Sequence, residues 1–350
     1  MTPSNGRDRR NGSTLEGVAT LAGVSRATVS RVVNGSPKVS PEIRRGVEAA
    51  IERLGYVPNR AARSLVTRRS GSFGLVITEP TGRLFSDPFF PRVLRGIGAE
   101  LTTRDLQLVL LMPNSPADLR RIGDYLSAGH VDGVVLVSLH REDPLPSRLA
   151  AAGIPLVLVG RPLPGIEASY VDVDNRQGAR SAVEHLVAGG RRAIATITGP
   201  LDMPVGIDRL AGYREALVDA GLGSDARLEA TGDFTQESGA KAMSRLLAKR
   251  PNLDAVFAAS DLMAAGALSV LASAGRQVPQ DVAIVGYDDS PVATSTQPPL
   301  SSVRQPIEAM GREVARLLVE AVEGSDRVQR RVILATDLVK RASSAGRPSP

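Results

Sequence analysis

Cysteine and tryptophan are absent from the 350 residues, and histidine occurs only three times. Such a chain has no disulfide framework, no thiolate metal site and no cysteine nucleophile. His130, His140 and His185 stand at no i,i+4 spacing, which removes a zincin-type metal helix. No apolar run approaches the ~18 residues of a membrane span, and the opening residues contain no apolar leader core. A soluble cytoplasmic protein without membrane attachment is expected. Common catalytic motifs are missing too: no G-x-G-x-x-G opens a helix after a strand, and there is no P-loop and no G-x-S-x-G. Ser238 and Lys241 fit S-x-x-K, but that spacing lacks its companion motifs. The expectation is a protein that is not an enzyme, with no catalytic residue, no cofactor and no metal.

Positive charge is present but unevenly spread. The net charge is +6, and the hydrophobic content of 42% is enough for two or three cores. Residues 1–70 hold thirteen basic groups against five acidic ones, a net of +8; the remainder holds thirty against thirty-two, a net of −2. This asymmetry is the electrostatic footprint of a polyanion partner, most often nucleic acid. A merely basic, solvated tail is the alternative.

Residues 1–13 are polar and without periodicity, and read as a disordered tail. From Thr14 the pattern is helical in short pieces. Leu15, Val18, Ala19 and Ala22 share one face, and Gly23 breaks the run. Ser25 can cap a second helix that buries Val24, Val29 and Val32. Ser40-Pro41 opens a third, with Ile43, Val47, Ala50, Ile51 and Leu54 on one face and Gly55 as its stop. Helix, glycine turn and serine-capped helix are the parts of a helix-turn-helix.

Arg26, Ala27, Ser30 and Arg31 are left facing outward from the second helix. Two guanidiniums on an exposed helix suit a major groove, because arginine binds guanine bidentately, and Ala27 is small enough to meet a thymine methyl. Ser25, Ser30, Asn34 and the helix N-terminus at Thr14 can position phosphates, and Thr28 is a further candidate DNA contact. A helical hairpin with a solvated basic face is the competing reading.

After Phe73 the texture becomes apolar run, amphipathic helix, apolar run, with runs such as Gly133–Val137 and Ala255–Ala259. That alternation argues for parallel sheets covered on both faces, and its length suits two doubly wound lobes.

The stretch TLEGVATLAGVSRATVSRVVNG (14–35), followed by VSPEIRRGVEAAIERLGYVPNRAARSL (39–65), resembles the DNA-binding headpiece of the LacI/GalR family of bacterial transcription regulators. The resemblance continues in DPFF (87–90), VDVDNRQGA (171–179), DRLAGYREAL (208–217), GDF (232–234), SDLMAAG (260–266) and VGYDD (285–289). It implies an all-α helix-turn-helix headpiece (14–58), a hinge helix and linker (59–72), and a two-lobed α/β core like the type I periplasmic binding proteins (73–341). A disordered tail (342–350) follows. In the family Arg26, Ala27 and Arg31 would read bases. Asn59, Ala62 and Leu65 fall in the hinge helix, where Leu65 would wedge into a minor-groove step of double-stranded operator DNA.

The resemblance further implies a homodimer on a pseudo-palindrome. No heptad helix closes the chain, so no tetramer is expected. It implies a small-molecule effector, a carbohydrate above others, between the lobes. Phe89 and Phe90 follow the first strand and offer either a stacking platform or packing under a helix. Phe234, Arg209 and Asp288 match a ligand-facing ring, a cleft arginine and a hydroxyl-accepting carboxylate. Asp87, Ser260 and His140 stand near the cleft, and Asp261 is either a ligand contact or only a helix cap.

Asp87 and Ser260 replace the asparagines frequent in the family, and Met203 and Val205 stand where polar residues are common, so the effector itself does not transfer. The expected activity is repression under allosteric control. A corepressor (nucleobase, phosphosugar or protein) or activation remains an alternative, and a solute-binding protein a distant one.

Overall fold

In the computed structural model residues 14–33, 35–57, 69–223, 225–324 and 328–345 are described. The chain divides into two units between Gly71 and Ser72.

The first unit is a set of three helices: α1 (Leu15–Ala22), α2 (Arg26–Val33) and α3 (Pro41–Leu54). Each start is set by a side-chain oxygen that accepts an otherwise unpaired amide. Thr14 Oγ1 takes the Gly17 amide, Ser25 Oγ the Thr28 amide and Ser40 Oγ the Ile43 amide. Gly23 and Gly55 end α1 and α3 in the left-handed conformation, at φ 66° and 58°, which glycine adopts without a Cβ clash. Val18, Ala19, Val29, Val32, Val47 and Ala50 form the core. Full burial of each valine is worth ~1.5–3 kcal/mol. Ile43, expected on the buried face, lies at its rim, 40% exposed.

The second unit contains two six-stranded sheets. Its strands are β1 (Ser72–Ile77), β2 (Gln107–Leu111), β3 (Gly133–Val137), β4 (Leu156–Val159), β5 (Ser169–Val173), β6 (Ile194–Thr198), β7 (Glu229–Thr231), β8 (Ala255–Ala258), β9 (Ala283–Asp288), β10 (Ser301–Arg304), β11 (Arg331–Leu334) and β12 (Asp337–Val339). Sheet one runs β11-β5-β4-β3-β1-β2 and sheet two β12-β10-β9-β8-β6-β7. Neighbouring strands pair in parallel except β10 with β12.

The helices are α4 (Thr81–Ser86), α5 (Phe89–Thr102), α6 (Pro116–Ser127), α7 (Leu145–Ala151), α8 (Asn175–Ala188), α9 (Pro204–Asp219), α10 (Gln236–Lys249), α11 (Asp261–Ser273), α12 (Pro291–Ser295) and α13 (Ile307–Glu323). Residues alternate along each strand between two cores. In lobe one Leu75, Ile77, Val135 and Val137 pack with α5 and α13, while Val76, Val134 and Leu136 pack with α6 and α7. In lobe two α10 and α11 cover one face, and α8 and α9 the other. This is the two-lobed, doubly wound architecture expected from unbroken apolar strands. Among the described residues no helix is long and apolar enough to cross a membrane.

Three connections cross between the lobes: β5 to α8 through Asp174, β10 to α13 through Gln305 and Pro306, and β11 to β12. The expected disordered stretch 342–350 needs correction at its start. Ala342–Ser344 form a 3-10 turn with Ser343 and Ser344 buried. Ser343 Oγ donates to the Ile284 carbonyl at 2.7 Å and accepts the Ser301 amide at 2.8 Å, so its polar groups tie the turn to sheet two. The expected tail 1–13, and residues 346–350, lie outside the described residues.

Lobe one depends on a close approach of α5 and α13. A Cβ on Gly96 would strike the Glu308 carbonyl oxygen, and one on Gly311 would stand 2.5 Å from the Val93 carbonyl oxygen. Gly96→Ala should therefore lower core stability by ~1–3 kcal/mol through overpacking. Denaturant unfolding of the variant, with an unchanged midpoint as the contrary result, checks this.

Candidate functional site

On α2 the structure exposes Arg26, Ala27 and Arg31, with Thr28 and Ser30 partly covered. Arg26 lies 3.0 Å from Glu16, both side chains more than half exposed. Such a surface pair is worth little and is readily exchanged for a stronger anion. Thr14 and Ser25 use an oxygen lone pair for capping, and a hydroxyl in that role keeps its hydrogen to donate. Ser25 and Thr28 hydroxyls also meet at 2.9 Å. Asn34, Asn59, Ala62 and Leu65 lie outside the described residues.

Between the lobes of the second unit lies a cavity lined from both sides. It sits at the carboxyl ends of β3, β4 and β9, the usual ligand position in open α/β sheets. Lobe one lines it with Arg83, Asp87, Phe89, Ser138, Leu139, Gly160, Arg161 and Asp172, and lobe two with Met203, Val205, Arg209, Phe234 and Asp288. Asn175 and Gln305 enter from two of the crossings, and Met310 from α13. The backbone is strained here. Ser138, Phe234 and Asp288, at φ 62°, 68° and 106°, are among the five described non-glycine residues with positive φ. Each costs ~1–3 kcal/mol and is held by its surroundings. Gly199 is part of that support, since a Cβ there would strike the Phe234 ring.

Arg209 is the centre of the polar wall and is only 4% exposed. Its Nη1 donates to the Ala259 carbonyl at 2.6 Å and its Nε to Asn175 Oδ1 at 2.9 Å. The guanidinium carbon lies 3.6 Å from the centre of the Tyr287 ring. Asp288 is 3.6 Å from Nη1 and accepts from Gln305 Nε2 at 2.5 Å. Burial pushes the Asp288 carboxyl well above the usual carboxylate range, with Arg209 pulling the other way. Burial also raises Asp87, against the pull of the Phe89 amide and of Arg83. Asp172 is pushed up to about 6 by burial, although it accepts the amides of Arg161 and Val173.

Three further contacts join the lobes. Arg161 binds Asp208 with two hydrogen bonds, at 2.9 and 3.0 Å. The Arg83 guanidinium carbon lies 4.9 Å from the centre of the Phe234 ring. His140 Nδ1 is 2.7 Å from Asp202.

Of the residues expected at the ligand, Asp87, Phe89, Arg209, Phe234 and Asp288 line the cavity; Phe90, His140, Ser260 and Asp261 do not. Phe90 is 1% exposed in the lobe-one core, so packing under the helix describes it and the platform reading applies only to Phe89. Ser260 is the N-cap of α11, accepting the Met263 amide. Asp261, just inside that helix, is buried and accepts from the Ser302 hydroxyl at 2.6 Å and the Ser290 amide at 2.7 Å. His140 faces a separate groove on lobe one. Sequence reasoning missed Arg83, Arg161 and Gln305. Arg161 and Gln305 follow strand ends, and that position was the signal available.

A two-lobed core with a polar and aromatic cavity between its lobes, preceded by a capped helix-turn-helix with exposed arginines, defines a ligand-sensing DNA-binding regulator. Comparison with known proteins supplies the family. The model of the bacterial regulatory proteins of the lacI family matches residues 14–59, and that of periplasmic binding protein-like domains matches residues 183–344. The HTH-type transcriptional regulator CelR of Thermobifida fusca is 54% identical over 338 residues, 96% of this chain and 99% of its own length. The ribose operon repressor of Escherichia coli K12 is 35% identical, over 95% of this chain and all of its own.

Among solved structures, a transcriptional regulator CelR–cellobiose complex is similar at 52% identity and a TM-score of 0.77, covering 94% of this chain and 99% of that one. The lac repressor dimer bound to operator and the anti-inducer ONPF is similar at 28% identity and a TM-score of 0.82, covering 95% and 99%. The chain belongs to the lacI family of bacterial regulatory proteins.

Arg209→Met should remove ~3–5 kcal/mol from core stability, because it strands a buried carboxylate and two buried acceptors. Arg209→Lys should not restore it, since an ammonium lacks the planar fork that reaches Asn175 and Ala259 together. Urea unfolding of both variants tests this, and full rescue by lysine would contradict it.

Proposed function

We propose that this protein is a cytoplasmic, non-catalytic repressor that binds a pseudo-palindromic operator as a homodimer and is controlled by a saccharide held between its core lobes. The observation that carries the effector class is the cavity's lining. Phe89, Phe234 and the methionines Met203 and Met310 offer surfaces for the C–H faces of a pyranose, while Arg209, Asp288, Asp87 and Asn175 stand ready for its hydroxyls. The similarity to a transcriptional regulator CelR–cellobiose complex supports a short glucoside. On the DNA side, Arg26, Ala27 and Arg31 would read bases. Thr14, Ser25, Thr28, Ser30 and Asn34 would hold phosphates, and Asn59, Ala62 and Leu65 would act in a hinge segment over 59–72.

Cellobiose and related glucosides should raise the melting temperature of the full chain, and a repeat with operator DNA gives the sign of the coupling. Stabilisation by nucleobases or sugar phosphates alone would replace the saccharide reading. Asp288→Asn should weaken saccharide binding by about tenfold, one hydrogen bond's worth, and leave ligand-free operator affinity unchanged.

Arg31→Ala should cost ~1–3 kcal/mol in each half-site and relax the sequence preference at one base pair. It should leave saccharide affinity alone. Electrophoretic titration on an operator selected from random duplexes measures the change, and undiminished selectivity would remove Arg31 from base reading. The same titration should show affinity falling linearly on a log–log plot against salt.

A further inference from the structure

His140 follows β3, and its ring lies between two carboxylates that belong to different lobes. Nε2 is 3.3 Å from Glu79 Oε1, just past β1 in lobe one, and Nδ1 is 2.7 Å from Asp202 Oδ2, just past β6 in lobe two. A neutral imidazole has one N–H and can serve only one of these acceptors; the imidazolium serves both. The strand order puts β3 and β1 away from β5 and β11, where two of the crossings leave lobe one. A bond made there resists opening with a longer lever arm than the Arg161–Asp208 pair, which follows β4 and contains no imidazole.

We propose that His140 is a positioning residue whose imidazolium latches the two lobes together, so that protonation of this one ring favours the closed core. The sequence pointed to His140 as a ligand contact; the geometry gives it a role in closure whatever the effector is.

The charged surroundings support this assignment. Glu79 is 4% exposed and is shared between His140 and Arg83, which lies 2.6 Å away on α4. Asp143, on the turn after His140, adds attraction, and Arg141 and Glu142 between them are exposed. The Glu79 hydrogen bond, followed by Asp202, raises the imidazole pKa to about 9, against the desolvation that lowers it. The sign follows from that direction. The closed form binds the proton more tightly than an open form in which Asp202 has moved away. Protonation therefore adds a preference for the closed form, and that added preference falls away as pH rises through about 9.

The absence of native cysteine allows a direct test. Arg121→Cys on α6 and Lys241→Cys on α10 place one label on each lobe, at side chains 78% and 65% exposed. The full chain is spin-labelled and diluted with unlabelled chain so that each dimer carries one labelled subunit. Inter-lobe distances are measured by pulsed electron resonance at about pH 6.5 and about pH 10, which bracket the ring's titration.

The expected result is a short distance at the lower pH and growth of a longer one, by several ångströms, at the higher. In both His140→Gln and Asp202→Asn the longer distance should already be present at the lower pH, with no further pH response. Asp202 is about half exposed, so its variant guards against a folding defect at position 140. A pH-independent distance in the parent protein, or a retained pH response in both variants, overturns the latch. No saccharide is needed, so failure here and failure of the saccharide reading are separable.

Discussion

The core is organised around one buried cation. Taking the Arg209 guanidinium out of water carries a penalty of several kcal/mol, which only a full set of partners offsets. Those partners come from separate places in the chain: Asn175 at the first crossing, the Ala259 carbonyl after β8, and the Tyr287 ring and Asp288 carboxylate at the end of β9. Asn175 in turn donates to Asp172 of lobe one at 2.9 Å. Gln305, at the second crossing, donates to Asp288. Satisfying one guanidinium therefore fixes two crossings, a strand end and a helix relative to each other. The cavity is the space that this network leaves open, and its polar groups are already oriented.

Much of this was legible in the sequence, for identifiable reasons. The headpiece helices announce themselves through Thr14, Gly23, Ser40-Pro41 and Gly55, because capping is local chemistry. Strands buried on both faces, such as β1, β3 and β8, read as unbroken apolar runs. Strands β5, β7, β10, β11 and β12 were not read. They are three to five residues long and carry polar or charged groups, as in Ser301–Arg304, where the buried Ser301 and Ser302 hydroxyls are paired with backbone and side-chain groups from elsewhere in the chain.

The site divides in the same way. Arg209, Asp288, Phe89 and Phe234 lie in sequence motifs, whereas Arg83 reaches the cavity through a tertiary stacking on Phe234 that no local pattern encodes. Of the two readings offered for Phe90, packing under the helix holds for a simple geometric reason: adjacent residues on a helix point about 100° apart, so Phe90 turns into the core where Phe89 turns to the cavity. Ser343 is the converse case. A stretch of small polar residues has the composition of a tail, yet its hydroxyl both donates and accepts within sheet two.

The two units use arginine in opposite ways, and this sharpens the meaning of the +8 and −2 charge division. In the core, Arg209 and Arg161 are committed to carboxylates and carbonyls, so their charge is spent inside the protein. In the headpiece Arg26 has only an exposed partner, Glu16, and Arg31 is exposed. A weak, solvated pair costs little to break, which is what a surface that must take up phosphates and base edges requires.

The same energetics constrain how a ligand could govern such a protein. Contacts between the lobes are already made by the chain itself, through Arg161–Asp208, Arg83–Phe234 and His140–Asp202. A ligand that touched one lobe alone would bind open and closed cores equally and shift nothing, however tightly it held. Only groups that bridge the lobes have differential affinity. In this cavity Asp87 and Phe89 lie on one side and Arg209, Phe234 and Asp288 on the other. Control by closure therefore demands a ligand long enough to span the gap, so that binding and closure become one event.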